Sequence, residues 1–153
     1  MIDRFRVVPA AYVLLCKGNN VLLQLRSGTG YMDDHWAFAA AGHVEKYETV
    51  FAAACRETAE ELGVTVDAAD LRPLTVMHRT HFAHATIDER VDFFFACDRW
   101  QGDPRLVEPQ KAAGLDWFAL DALPDPVVPH EKYVLDAVRT GTLPQISAFG
   151  FSA

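Results

Sequence analysis

Apolar runs separated by polar turns predict strands in both halves of this chain. Residues 7–16 are largely apolar and rich in valine, and Gly18, Asn19 and Asn20 separate them from the leucine-rich run at 21–26. Two such runs joined by a tight turn are typical of a β-hairpin. Further runs predict strands at residues 71–79, 91–100 and 115–120 and a short small-residue segment at 36–41.

The clearest predicted helix covers residues 49–62, which are rich in Ala, Glu and Leu. Thr49 is a suitable N-cap, and Gly63 follows the last helical residue. A second helix is predicted at residues 130–139, after three prolines and before Gly141. Strands that alternate with only two helices predict a mixed α/β fold with a mixed sheet. On a helical wheel the first helix has one predicted core-facing stripe, formed by Phe51, Cys55, Thr58 and Leu62.

Length and composition predict one globular domain over residues 1–153, because domains typically have ~100–200 residues. Half of the residues are hydrophobic, and 14 basic against 21 acidic residues give a net charge of −7. A protein that binds a phosphate backbone needs a basic face, so nucleic acid is not expected as a bulk partner. Three cysteines without a CxxC pair, and an apolar segment at 7–16 too short to cross a bilayer, predict a reduced cytoplasmic protein without a membrane segment.

Three glutamates of the first helix stand where negative charge is unfavourable. Glu57, Glu60 and Glu61 have i, i+3 and i+4 spacing, on the side opposite the predicted core stripe. Like charges at this spacing destabilise a helix by ~0.2–0.5 kcal/mol per pair, and the helix dipole disfavours acids near the C-terminus. A bound divalent cation would compensate, and carboxylates suit Mg²⁺ or Mn²⁺. A solvated acidic face is the alternative, and the helix by itself leaves it open.

The residues around these glutamates resemble the signature of the Nudix family. Residues 42–64 read GHVEKYETVFAAACRETAEELGV, and the signature is G-x5-E-x7-R-E-U-x-E-E-x-G-U, in which U is apolar. Thr58 departs from it, since an aliphatic residue is usual there. The resemblance implies a Nudix-type α/β/α sandwich that carries a loop–helix–loop metal site. The matching positions are Gly42, Glu48, Arg56, Glu57, Glu60, Glu61, Gly63 and Val64.

The resemblance also implies an activity, which is the hydrolysis of a nucleoside diphosphate linked to another moiety. A pyrophosphate and a protein of net charge −7 repel each other unless a metal intervenes. The cation would neutralise the phosphates and activate the attacking water. Glu57 and Glu61 are the expected direct Mg²⁺ ligands, with Mn²⁺ as a substitute. Glu60 is expected as a third or bridging ligand, and the carbonyl of Ala41 as a further one.

The remaining catalytic roles come from the same resemblance. Arg56 and Glu48 are expected to form an ion pair that orients the loop against the helix. A carboxylate is expected to take the proton of the attacking water. Glu108 is the first candidate for this base, Glu89 is the second, and a glutamate of the signature is the third.

Two departures from the family pattern affect the expected cleft. Residues 39–41 are alanines where the family often has Pro-Gly-Gly or Pro-Ala-Gly, and Tyr47 replaces a common glycine. Tyr47 is strained if this position requires a positive φ. His78, His81 and His84 are spaced by three, but strand alternation does not favour a zinc site there. The candidate substrate contacts are Tyr31, His35, His43, Tyr133 and Phe94, the last as a base-stacking ring for which core packing is the default.

The sequence leaves two other functions open. The first is an isomerase reaction on the same fold, like that of isopentenyl-diphosphate isomerase, which would require a cysteine and a glutamate in the cleft. Cys16, Cys55 and Cys97 all fall in predicted core elements. The second is a non-catalytic nucleotide sensor, although sensors usually lose acids of the signature and none is lost here. The expected partner is a small phosphorylated, nucleotide-like substrate, and the resemblance also allows a homodimer.

Overall fold

A computed structural model of the chain describes residues 2–81 and 83–151, so Met1, Phe82, Ser152 and Ala153 of the predicted domain lie outside it. Eight strands and two α-helices lie within the described residues. In chain order they are β1 Val8–Lys17, β2 Asn20–Arg26, β3 Trp36–Phe38, β4 Ala40–His43, α1 Val50–Leu62, β5 Arg72–Arg79, β6 Arg90–Cys97, β7 Ala112–Ala119, α2 Pro129–Thr140 and β8 Ile146–Phe149.

All eight strands belong to one sheet. Its main path runs β3-β2-β1-β6-β5-β8, while β4 pairs with β1 and β7 pairs with β2. β1 and β6 are parallel, as are β5 and β8, and the remaining pairs are antiparallel. The predicted mixed sheet is therefore confirmed.

The central strand β1 is buried on both faces, which places one helix on each side of the sheet. Val13 and Leu15 share a cluster of buried residues with Ala53 of α1. Tyr12 points to the other face and belongs to a cluster with Val134 of α2. Because alternate residues of a strand face opposite sides, the molecule has three layers, and the predicted α/β/α sandwich is confirmed.

Both ends of α1 are capped as the sequence predicts. Ala52 N donates to Thr49 Oγ1 at 3.0 Å, and Gly63 adopts a left-handed conformation with a φ of 68°. A left-handed C-cap is the conformation for which glycine is best suited. In the part of the chain that the structure describes, no helix has the length and apolarity to cross a membrane.

The side of α1 that faces the sheet matches the predicted stripe at Thr58 and Leu62, which are fully buried, but differs from it at Phe51. Phe51 is 48% exposed, whereas Ala53 and Ala54 are fully buried. The prediction for Phe51 was wrong, because the alanines allow the helix backbone to approach the sheet closely and leave the large ring at the edge. The helix is turned so that Glu57 and Glu61 lie towards the sheet and are partly buried. Glu60 is exposed, so it is the only one of the three acids on the solvent-facing side where all three were expected.

Candidate active site

Arg56 holds the loop before α1 against the helix. Its Nε lies 2.7 Å from Glu48 Oε2, and its Nη2 lies 3.0 Å from Glu48 Oε1. The same Nη2 donates to the carbonyl oxygen of His43 at 3.0 Å. The Arg56 hydrogen bonds, helped by the backbone N–H of Glu45, lower the pKa of Glu48 to about 2. The predicted ion pair between Arg56 and Glu48 is thus present and connects loop to helix.

Arg56 also reaches two of the three acids of the helix. Its Nη1 lies 2.7 Å from Glu57 Oε1 and 3.2 Å from Glu60 Oε2. Burial raises the pKa of Glu57, and the Arg56 contact opposes this effect. Two of the three carboxylates are therefore partly neutralised by an arginine, while no arginine within the described residues contacts Glu61.

Gly42 of β4 leaves the space that the Glu57 carboxylate occupies. A Cβ placed on Gly42 would overlap with the carboxylate carbon and both oxygens of Glu57. The first glycine of the signature is thus required here by a close approach of helix to strand, and not by a positive φ.

Tyr47, by contrast, occupies a position that does have a positive φ. Its φ is 69°, and its side chain is 95% exposed. The Nζ of Lys46 lies 5.0 Å from the centre of its ring, which is a weak contact at an exposed site. The left-handed backbone explains why glycine is common at this position of the family pattern, and Tyr47 is strained as expected.

Glu61 is the most buried of the three acids and lies beside the backbone of β4. Its Oε2 accepts a hydrogen bond of 3.0 Å from Ala41 N. Burial raises the pKa of Glu61 to about 8, and the Ala41 N–H opposes this rise. Glu57 and Glu108 raise it further through charge repulsion. Lys111 lowers it by charge attraction, but this effect is smaller than those of burial and of the two neighbouring acids.

Two cavities open beside Glu61. The first has a volume of about 390 Å³, and the second about 420 Å³. Both fall in the range of small-molecule sites, which is roughly 300–1,000 Å³. Gln24, Arg26 and Glu61 line both cavities, so the two spaces meet at these side chains.

The carboxylates of Glu61 and its acidic neighbours are the type of ligand that a divalent cation prefers. Glu57, Glu61 and Glu108 repel one another electrostatically, and a hard cation would relieve this repulsion with the ligand type it prefers. Among residues 2–81 and 83–151, however, no group of three or more His, Cys, Asp or Glu side chains is arranged to hold a metal ion. Because this also covers His78, His81 and His84, the zinc site that the sequence did not favour is not found there.

The candidate bases occupy different places. Glu108 lines the second cavity, and its Oε2 forms an ion pair of 2.8 Å with Lys111 Nζ, which lines the same cavity. Glu89 accepts a hydrogen bond of 2.7 Å from Thr80 Oγ1 and is not among the described residues that line the two cavities. Glu108 is therefore better placed than Glu89 to act as the general base, because only Glu108 lines one of these cavities.

Only some of the predicted substrate contacts line a cavity. Tyr31 and His43 line the first cavity, whereas His35, Phe94 and Tyr133 are absent from the described lining of both. The ring of Phe94 is 1% exposed and stacks on Tyr12 with the ring centres 4.3 Å apart. Phe94 is therefore a core residue, which corrects its assignment as a substrate contact.

Sequence reasoning missed several polar residues of the first cavity. Glu131 is 4% exposed and lies in the first turn of α2. A signal for it was available, because Val134 and Leu135 follow at i+3 and i+4 and are fully buried, so Glu131 falls on the apolar face of the helix. The other missed polar residues are Tyr12, Gln24, Arg26, Arg79, Asp88, Arg90 and His130.

The protein is an α/β/α sandwich that carries a loop–helix acidic site beside two cavities. This is the arrangement that the resemblance to the Nudix family implies. The model of the NUDIX domain family matches residues 6–138. The chain belongs to the Nudix family, and the resemblance read from its sequence is confirmed.

Known relatives agree with this membership. The chain is 32% identical over 103 residues to an 8-oxo-dGTP diphosphatase of Proteus vulgaris, which covers 67% of this chain and 86% of the relative. Its sequence is 28% identical to that of a MutT NUDIX hydrolase from Burkholderia pseudomallei. The crystal structure of that protein superimposes on this chain with a TM-score of 0.76, covering 87% of this chain and 98% of the other. A NUDIX hydrolase from Nitrosomonas europaea shares the fold, with 18% identity and a TM-score of 0.74 over 97% of this chain and 82% of the other.

The family identifies this chain as a pyrophosphohydrolase, so the prediction of an enzyme is confirmed over that of a sensor. The isomerase alternative gains no support from the site. Cys97 is buried, Cys16 and Cys55 are partly buried, and no cysteine is among the described residues that line either cavity.

Proposed function

We propose that this protein hydrolyses the pyrophosphate bond of a nucleoside-diphosphate-linked substrate, with Mg²⁺ bound at Glu61. The observation that carries the proposal is the position of Glu61. It is partly buried, burial and the neighbouring acids raise the pKa of its carboxylate, and it borders both cavities. One relative is an 8-oxo-dGTP diphosphatase, which supports nucleoside triphosphates as the first substrates to examine.

The metal ligands we propose are the carboxylates of Glu57 and Glu61, with Glu60 and the carbonyl of Ala41 as further donors. When bound, Mg²⁺ supplies charge neutralisation for the phosphates and lowers the pKa of a coordinated water. Mn²⁺ can replace it, since both prefer oxygen ligands. Glu60 would first have to leave Arg56, which lies 3.2 Å from it.

The other charged residues of the site act on the substrate directly or by positioning. Lys111 and Arg26 line the second cavity and offer positive charge to an anionic phosphate. Glu108 lies in the same cavity and is our candidate for the group that accepts the proton of the attacking water. Arg56 positions Glu57 through the 2.7 Å contact and holds the loop through Glu48.

A substrate screen tests the proposal. Nucleoside triphosphates, nucleotide sugars, ADP-ribose and dinucleoside polyphosphates would be incubated with the protein and Mg²⁺, and released phosphate, pyrophosphate or mononucleotide would be measured. We expect turnover of at least one compound that depends on the cation and stops when EDTA is added. Turnover unaffected by EDTA, or conversion of isopentenyl diphosphate to its allylic isomer instead of hydrolysis, would contradict the proposal.

A further inference from the structure

The chain segment 101–108 lies against the C-terminal end of α1. Arg105 N donates to the carbonyl oxygen of Leu62 at 3.0 Å, and Val107 N donates to that of Glu61 at 3.1 Å. Both acceptors belong to the last turn of the helix, where carbonyl groups have no partner within the helix. The segment therefore satisfies the end of α1 through its own backbone.

The second of these hydrogen bonds sets the position of Glu108. Glu108 follows Val107 directly in the chain, so its backbone begins one residue away from the contact with the Glu61 carbonyl. Its side chain lines the second cavity together with Glu61, and the two carboxylates lie near enough to repel each other. The placement of the candidate base beside the proposed metal ligand thus depends on how firmly segment 101–108 is bound to the helix end.

The guanidinium group of Arg105 packs on the same helix end. A Cβ placed on Gly63, the C-cap of α1, would overlap with this group, so the guanidinium lies directly against the Gly63 backbone. No carboxylate among residues 2–81 and 83–151 forms an ion pair with Arg105, and its positive charge faces the negative end of the helix dipole. The second glycine of the signature thus makes room for an arginine, in addition to adopting a left-handed conformation.

Burial contributes little to holding segment 101–108 in place. None of its eight residues is buried, and five are exposed, namely Gln101, Gly102, Asp103, Arg105 and Val107. A segment with few buried contacts opens at a low cost in free energy. A charged contact at the helix end therefore has a large share in keeping the segment closed.

We propose that Arg105 is a positioning residue for the hydrolysis, which holds segment 101–108 on the end of α1 and so keeps Glu108 beside Glu61. This inference rests on the proposed function, because Glu108 is the candidate base there. Arg105 itself is not among the described residues that line either cavity. Its removal should therefore act on the rate through Glu108 and leave the binding of substrate unchanged.

A double-mutant cycle between Arg105 and Glu108 tests the inference. The probe is dGTP with Mg²⁺, or the compound that the substrate screen shows to be hydrolysed fastest. We expect Arg105→Ala to lower kcat about ten-fold and to change KM by less than about two-fold. In a Glu108→Gln background the same substitution should change kcat by less than about two-fold, because the group that Arg105 positions is already lost. Arg139→Ala is the matched control, since it removes an exposed arginine from the last turn of α2 and should leave kcat unchanged.

Amide hydrogen exchange, followed by NMR, gives a second readout that does not require turnover. In Arg105→Ala the N–H of Val107 should exchange at least about ten-fold faster than in the wild type, because its hydrogen bond to Glu61 opens more often. In Arg139→Ala the exchange of the same N–H should not change.

The outcomes separate this inference from the proposed function. Unchanged kcat, or unchanged exchange at Val107, in Arg105→Ala would overturn the inference and leave the hydrolase proposal standing. A further loss of about ten-fold in the Glu108→Gln background would also overturn it, because Arg105 would then act by another route. Faster exchange at Val107, in a protein that hydrolyses none of the screened compounds, would support the role of Arg105 in holding the segment and contradict the proposed function alone.

Discussion

Replacing Glu61 with glutamine should stabilise the protein in the absence of metal, although it should abolish activity. In the folded protein the pKa of Glu61 is about 8, compared with an ordinary value of 4.5. The folded state therefore binds a proton more tightly than the unfolded chain between these pH values. The free energy of unfolding must fall as the pH rises through this interval, because the unfolded state releases the proton first.

The size of this effect follows from the difference between the two pKa values. Each pKa unit corresponds to about 1.4 kcal/mol, so ionised Glu61 lowers the stability by up to about 5 kcal/mol above pH 8. The amide oxygen of the Glu61→Gln variant can still accept the hydrogen bond from Ala41, but its N–H₂ group requires a new partner, at a cost of about 1–3 kcal/mol. We expect a net gain of about 2 kcal/mol at pH 9 and little or no gain at pH 5.

Urea unfolding in EDTA, followed by circular dichroism at pH 5 and pH 9, measures this gain. A change of about 2 kcal/mol moves the urea midpoint by roughly 1 M. Glu60→Gln is the matched control, since its side chain is 53% exposed and its substitution should change the stability by less than about 0.5 kcal/mol. Added Mg²⁺ should stabilise the wild-type protein and not Glu61→Gln. A Glu61→Gln variant that is less stable than wild type at pH 9 would show that ionised Glu61 does not destabilise the fold.

Three further predictions concern single residues of the site. Tyr47→Gly should raise the free energy of unfolding by about 1 kcal/mol, because glycine relieves the positive φ of 69°; Tyr47→Phe is the control, and denaturant titration that shows no gain for glycine over phenylalanine would contradict the strain. Gly42→Ala should destabilise the protein by about 1–3 kcal/mol and weaken Mg²⁺ binding, because the new methyl group displaces Glu57; a calorimetric Mg²⁺ titration identical to that of wild type would count against it. Glu108→Gln should lower kcat by about 10²-fold or more, whereas Glu89→Gln should leave it within a few fold, and the reverse order would move the base to Glu89.

The acidic site could be predicted from the sequence because its chemistry depends on local spacing. Glu48 and Arg56 are eight residues apart, and the loop and helix between them bring the two together. Helix geometry likewise determines that Glu57 and Glu61 are neighbours on adjacent turns. These relations require no knowledge of the rest of the fold.

The features that were missed depend on contacts between distant segments. The predicted core-facing stripe of α1 holds for Thr58 and Leu62 but not for Phe51, because Ala53 and Ala54 pack against the sheet instead. Strand β8 was not predicted, because it is only four residues long and pairs with β5, about seventy residues earlier in the chain. Glu131 meets Phe38 across 93 residues, and no local pattern reports such a pair.

The first cavity contains a buried acid, Glu131, that was not predicted from the sequence. Glu131 lies in the first turn of α2, where an acid interacts favourably with the helix dipole even when it is exposed to solvent. In the structure Glu131 is buried, and its carboxylate accepts a hydrogen bond from the backbone of β3. An acid on the apolar face of a helix is the pattern that should prompt a search for such a partner.

The most direct test of the account measures turnover in Glu57→Gln and Glu61→Gln, using a substrate that the wild-type protein hydrolyses with Mg²⁺. We predict that both variants fold, as judged by circular dichroism, and lose at least about 10³-fold in kcat/KM, because each loses a ligand of the cation. Full activity in both folded variants would contradict this prediction and show that the carboxylates beside β4 do not hold the metal.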